Sequence, residues 1–394
     1  MKLLHTADWH IGRTLNGYSL LDEQEHAFDQ ILKIAQEQKV DGIVIAGDIY
    51  DRAIPNTDAV TALDKMLRTI NIEHKIPIYA ISGNHDGAKR LNYGREWMEF
   101  TNFHLNTLLE EAFTPIEIAD TQIFMLPFFD PMDARVYYSQ HGMADEDVKN
   151  IHTINDAMTL VLNDLYKLFA PNKKHILITH FAITPTADTE LDLTSETTSK
   201  VGGLANLTAS QFNKFDYVML GHIHTRFASP EKDKMRYSGS PVKFNVKEAN
   251  PKFHGKGIEI VDTDADPISH EFFEIKPKTD LVVLKETWDT LLDPDFYKTQ
   301  PLEKAWFAVT VKDFDRSKHI NVRAQLQQIY GTVVELDYED TKQTQAEVTP
   351  QKNMSELSPD EIVDQFFHTI TGNELSAEQK KIVDDIFVDL RREH

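Results

Sequence analysis

Five stretches of the chain end in side chains that bind hard or borderline metal ions. They are Asp8 and His10 in LLHTADWH, Asp48 and Asp51 in IVIAGDIYD, Asn84, His85 and Asp86 in IYAISGNHD, His180 in ILITH, and His222 and His224 in YVMLGHIH. Singly, each pattern has an ordinary reading: a carboxylate caps a helix, a glycine turns the chain, an imidazole satisfies itself in the core. The informative feature is that every set follows an apolar run of strand character. Ligands in open α/β sheets bind outside the carboxyl ends of the strands, so five such ends can converge on one crevice. A dinuclear site needs about seven protein ligands, one able to bridge, with positions left open for water and substrate. Asp48, in the middle of the series, is a carboxylate able to span two ions roughly 3.5–4 Å apart. Imidazoles bind neutral and the carboxylates offset only part of the metal charge, so an occupied site stays electropositive and calls for an anionic substrate.

The elements that must position these residues follow from the apolar patterning. KLLHT, GIVIAG, IPIYAISG, TQIFMLPFF, HILITH and YVMLG read as strands, apolar enough to be covered on both sides. Between them, Ala27, Phe28, Ile31, Leu32 and Ala35 fall at helical spacing, as do Leu63, Met66, Leu67 and Ile70 after an N-cap at Asn56 or Thr57, and a further helix is expected over 154–169. After Gly221 the segments KMRYSGS, GIEIVD and ISHEFFEI suggest antiparallel strands completing a sheet up to about Ile275. Two packed sheets flanked by helices is the economical architecture, an α/β fold.

The chain of 394 residues exceeds what one core usually organises, so a main domain and smaller units are expected. The spacing places the main domain at 1–276, a small α+β unit with a helix around Val322 to Ile329 at 277–340, a polar linker at 341–355, and two helices over 356–394. Ser358-Pro359-Asp360-Glu361 caps the first tail helix, with Ile362, Val363, Phe366, Phe367 and Ile370 as its apolar stripe. Ser376 with Gln379 caps the second, striped by Ile382, Val383, Ile386, Phe387 and Leu390.

Composition narrows the chemistry. With no cysteine, disulfides, thiolate nucleophiles and cysteine-held metals are excluded, and any metal rests on His, Asp, Glu and Asn. The start has no secretory pattern and no apolar run reaches the roughly 20 residues of a membrane span, so the cytoplasm is the expected compartment. A net charge of -22 opposes long-range attraction to nucleic acid, unless bound cations or a local basic patch invert the field at the site.

The series Asp-x-His, Gly-Asp-x-x-Asp, Gly-Asn-His-Asp, a strand-terminal His and Gly-His-x-His resembles that of the calcineurin-like metallophosphoesterases, all in the family's order. LLHTADWHIGRTL, DGIVIAGDIYD, SGNHD and LGHIH, with the chain length and the helical tail, are similar to the branch that contains the bacterial counterparts of the Mre-type repair nucleases. The resemblance implies a four-layer α-β-β-α sandwich with a small α+β capping domain and a C-terminal helical tail. It implies that Asp8, His10 and His224 hold one divalent ion, that Asn84, His180 and His222 hold the other, and that Asp48 bridges them, with Mn²⁺ the expected metal. His85 is then the general acid or transition-state stabiliser, Asp51 its candidate orienter, and Asp86 a support behind the ligands.

The implied activity is phosphodiester hydrolysis in DNA, as a 3′–5′ exonuclease on duplex ends and an endonuclease on hairpins, in repair and recombination. Arg13, Arg52, Lys89 and Arg90, just after the early motifs, are candidate phosphate contacts. The chain has no Gly-x-x-x-x-Gly-Lys-Ser/Thr loop, so ATP would be handled by the family's coiled-coil ATPase partner, docked on the tail helices. The resemblance also implies a homodimer, through apolar faces near Leu67 and Trp97. A phosphomonoesterase or small-molecule phosphodiesterase with the same dinuclear centre, and a scaffold that has lost its ions, are the alternatives. The scaffold reading sits poorly with a complete set of ligand-type residues.

Overall fold

Strand Gly42–Ala46 shows why these segments are apolar throughout: Ile43 and Ile45 join a core shared with helices, while Val44 and Ala46 join a different core between two sheets. The computed structural model of the chain describes residues 1–186, 189, 207–250, 255–302, 304–314, 319–339, 375–376 and 379–380. Residues Met1–Glu339 form one compact unit and Asp340–His394 another.

Within the first unit, one sheet runs in the order Ser269–Glu274, Gly257–Asp262, Lys2–Thr6, Gly42–Ala46, Ile78–Ile81, Phe103–Asn106. The last four strands are parallel, and the first two add antiparallel at one edge. The second sheet runs Met235–Tyr237, Tyr217–Gly221, Lys174–His180, Thr121–Leu126, Ile116–Ile118, parallel except for the last strand. The expectation of an antiparallel strand at KMRYSGS is corrected here. Met235–Tyr237 lies parallel to Tyr217–Gly221, because the intervening segment is long enough for the crossover of about a dozen residues that a parallel neighbour requires.

The two sheets face each other through Leu3, Val44, Tyr79, Ile81, Ile123, Met125, Ile176, Ile178, Met219 and Val261. Helices Leu21–Gln38 and Thr57–Arg68 cover the outer side of the first sheet with Phe28, Ile31, Leu63 and Met66. Helix Ile154–Lys167 covers the second with Met158, Val161, Leu162 and Leu165. Four layers result, and each such fully buried apolar side chain contributes about 1.5–3 kcal/mol. Helix Thr57–Arg68 starts at the expected cap: the Ala59 N–H donates to the Asn56 side chain at 2.8 Å.

Asp280–Thr287, Ala305–Lys312 and Val333–Glu339 form a separate parallel sheet, backed by helix Val322–Tyr330 and a core of its own around Phe307, Leu326 and Tyr330. It is tied to the main sandwich by the Glu23 carboxylate, which accepts from the backbone N–H groups of Lys278 and Thr279 at 2.9 Å each. The linker 341–355 and the first tail helix with its Ser358 cap lie outside the described residues. At the second, the Gln379 N–H donates to Ser376 Oγ at 3.3 Å and the Ser376 N–H to Gln379 Oε1 at 2.9 Å, a capping box.

Candidate metal centre

The carboxyl ends of the parallel strands of both sheets open on one crevice. Thr6, Ala46, Ile81, His180 and Gly221 each close a strand, and His180 pairs in register with Gly221. Just past these ends the backbone takes left-handed conformations at Asp8 (φ 55), His10 (φ 44), Asp48 (φ 50) and His222 (φ 92). Such conformations cost roughly 1–3 kcal/mol each in a side-chain-bearing residue and persist where packing over-determines them. Here they turn ligand-type side chains toward a common point.

Two glycines make the convergence possible. A Cβ on Gly47, itself at φ 89, would overlap the ring of His180, and one on Gly221 would overlap the Ala46 carbonyl. The first loop is held from behind by the buried amide of Gln24, which donates to the carbonyls of Trp9 and His10 at 3.0 and 2.7 Å. The third is pinned to the second by Asp86, whose carboxylate accepts from the N–H groups of Ile49, Tyr50 and Gly83 at 3.1, 2.9 and 2.9 Å. Burial, with Asp48 nearby, pushes Asp86 up to about 6 against the pull of those donors.

The structure brings all the expected ligands together in two overlapping groups. In one, Asp8, His10 and His224 present donor atoms within 4.8 Å of one another, and His10 Nε2 lies 3.0 Å from His224 Nε2. Two nitrogens each ~2.1 Å from one cation, at right angles, would be ~3.0 Å apart. In the other, Asn84 Oδ1 sits 3.1 Å from His180 Nε2 and 2.9 Å from His222 Nδ1. Asp48 stands between: its Oδ2 is 3.5 Å from His10 Nε2 and 3.3 Å from His180 Nε2, while Oδ1 accepts from the His85 backbone N–H at 2.8 Å.

Tautomer and charge suit cations. His180 Nδ1 donates to the Ala46 carbonyl at 2.7 Å, which turns Nε2 into the site. Burial drives His10 and His224 well below the usual histidine range and His222 to about 3, leaving three imidazoles neutral. Burial also works against charge on His180, but Asp48 and Asp8 outweigh it and carry the ring up to about 9. Burial likewise opposes ionisation of Asp48, yet His180 and His10 hold it well below the carboxylate range. A proton on His180 and a carboxylate among crowded nitrogens mark a donor set that divalent cations would complete, with the proton released on binding.

Asp8, His10, Asp48, His180 and His224 are buried, whereas Asn84 is exposed and His85 and His222 are half-buried, so the crevice is open on the side of the third motif. His85 Nδ1 donates to the backbone carbonyl of Asp51 at 2.9 Å. The Asp51 carboxylate, expected to orient this ring, instead faces Arg13 and Arg52 at 3.3 and 3.2 Å, because the turn after Asp48 aims the carbonyl at His85 and the side chain outward. Arg13 also stacks 5.1 Å above the Phe244 ring. Lys89 and Arg90 lie exposed on the short helix Ala88–Leu91, just beyond.

Some contributors had no sequence signal. Phe244 stands edge-on to both His10 and His224, with centroids 5.1 and 5.4 Å away, and closes the apolar wall of the first group. Buried Lys256 donates to the His224 carbonyl at 2.8 Å and to Ser240 Oγ at 2.7 Å, and pairs with Glu248. These residues come from a separate part of the chain, where neither spacing nor a glycine turn marks them.

Residues 1–226 match the family described as calcineurin-like phosphoesterase, and residues 277–371 match the domain described as type 5 capsule protein repressor C-terminal domain. The D subunit of nuclease SbcCD from Staphylococcus saprophyticus subsp. saprophyticus is 30% identical over 402 aligned residues, covering 100% of this chain and 99% of the relative. The protein of the same name from Staphylococcus epidermidis is 36% identical over 295 residues, covering 74% of each.

Proposed function

The chain belongs to the calcineurin-like phosphoesterase family, and from that membership we propose that it is the nuclease subunit of an SbcCD-type complex, hydrolysing DNA phosphodiesters with two divalent cations. The observation that carries the reading is the overlap of two donor groups at Asp48, one with Asp8, His10 and His224 and the other with Asn84, His180 and His222. Divalent cations bound there supply activated water and offset charge on the phosphoryl oxygens. Mixed nitrogen and oxygen donors suit Mn²⁺, which we take as the working metal.

The chain's own residues do the rest. Asp48 balances charge between the two groups. His85, whose Nδ1–H is held by a carbonyl, has Nε2 as its free nitrogen, and in the protonated ring that atom donates to the leaving oxygen. Phe244 keeps water from the flank of His10 and His224.

The reading extends to the assembly. The metallophosphoesterase domain ends near residue 276, and the small sheet after it caps the domain. The tail beyond 355 docks on the SbcC-type coiled-coil ATPase, as the name SbcCD implies for the relatives. Tyr93, Trp97 and Phe100 are 79%, 69% and 88% exposed, too much aromatic surface in one stretch to leave in water, and we assign it to a homodimer interface. Trp97→Glu should then give monomers by light scattering; an unchanged dimer would rule this surface out. No helix among the described residues is long and apolar enough to cross a membrane, and the cytoplasm is the compartment this role requires.

The test is Mn²⁺-dependent cleavage of linear duplex and hairpin DNA, set beside turnover of a small phosphomonoester. Cleaved DNA with the monoester spared supports the nuclease; hydrolysed monoester with intact DNA favours a phosphomonoesterase on the same centre.

A further inference from the structure

Beside His85 lies an open recess of about 440 Å³ lined by Arg13, Thr14, Asp51, Arg52 and His85. Its walls carry two guanidinium groups on a single carboxylate: Arg13 Nη1 is 3.3 Å from Asp51 Oδ1 and Arg52 Nη2 is 3.2 Å from Asp51 Oδ2. Arg13 is only 19% exposed and is braced against Phe244, whereas Arg52 is 66% exposed and free to swing. In a chain of net charge -22, two cations kept at the mouth of an acidic crevice ask for an explanation.

We propose that this recess is a subsite for the phosphate next to the scissile one, with Arg13 and Arg52 as its contacts and Asp51 as the residue that stores both guanidiniums in place. The proposal rests on the phosphodiesterase reading above and deepens it. A strand whose scissile phosphate sits between His85 and the donor groups places a neighbouring phosphate one nucleotide along, on the open side where the recess lies. Guanidinium forks match phosphate oxygens in a bidentate fashion, and a recess lined with the Asp51 carboxylate would repel phosphate without them. Asp51 shares its charge between two partners, so neither arginine is fully neutralised. A small monoester or diester, having no second phosphate, gains nothing from this subsite, which gives the enzyme a means of preferring a polynucleotide.

The experiment uses the full chain with Mn²⁺ and bis(p-nitrophenyl) phosphate as reporter substrate. The inhibition constant of a thymidine dinucleotide with one internal phosphate is compared with that of the same dinucleotide carrying an added 5′ or 3′ phosphate. In the wild type one of the added phosphates should tighten inhibition by about tenfold, and Arg52→Ala and Arg13→Ala should each bring the ratio toward one. A purely structural role for the arginines would weaken both dinucleotides alike and leave the ratio standing, which would overturn the proposal, as would a wild-type ratio of one. In parallel, anisotropy of a labelled oligonucleotide on the metal-free protein should show the salt slope falling by about one for Arg52→Ala. An unchanged slope counts against it. Because the dinucleotides are read as inhibitors, a protein that fails to cut duplex DNA would sink the nuclease reading while the ratio still decides the subsite.

Discussion

His85 Nδ1 donates to the main-chain carbonyl of Asp51 at 2.9 Å, and the Asp51 side chain takes no part in that bond. The ring is therefore oriented by backbone. His85→Ala should lower kcat on bis(p-nitrophenyl) phosphate by about 10²–10⁴, the usual worth of a general acid, while Asp51→Asn, which keeps the carbonyl, should cost less than about tenfold. Equal losses in the two variants would show that the carboxylate does the orienting. Bound Mn²⁺, measured by mass spectrometry after gel filtration, should remain near wild type in His85→Ala and fall in His224→Ala.

Gly47 combines a φ of 89 with a position where any Cβ meets the His180 ring. Gly47→Ala should displace His180 from the second donor group, weakening Mn²⁺ binding by at least tenfold in calorimetry and lowering stability by about 1–3 kcal/mol. A variant that binds Mn²⁺ as tightly as wild type would mean that the close approach is not needed for the site.

His5 is a hydrogen-bonded core imidazole, its Nε2 donating to the Leu220 carbonyl at 3.1 Å in full burial. Burial lowers it from 6.5 to about 4, with Glu259 pulling the other way. The unfolded chain therefore takes up the proton first as pH falls. The neutral ring's contribution is complete above pH 6.5 and lost as pH drops toward 4. Between pH 7 and 5, urea unfolding should lose about 2 kcal/mol more in the wild type than in His5→Gln. The same pH dependence in both proteins would contradict a buried neutral His5.

Much of this was legible in the sequence because the site is built at strand ends, and strands buried on both faces announce themselves as short apolar runs. Asp8, Asp48, His180 and His222 could be placed in one crevice from those runs and the residues that follow them. The direction of Met235–Tyr237 could not, since a three-residue strand is compatible with either pairing and a crossover decides it. Nor could the role of Asp51, where one residue offers both a carbonyl and a carboxylate and only the turn geometry determines which faces His85. Phe244, Gln24 and Lys256 act through packing and hydrogen bonds to main-chain atoms, contacts that no residue type or spacing encodes.

The central claim is that Asp48 joins two cation sites, and anomalous diffraction at the manganese edge from crystals soaked in MnCl₂ tests it most directly. The expected result is two peaks about 3.5–4 Å apart, one among Asp8, His10 and His224, the other among Asn84, His180 and His222, with Asp48 between. A single peak, or manganese bound away from Asp48, would contradict the account.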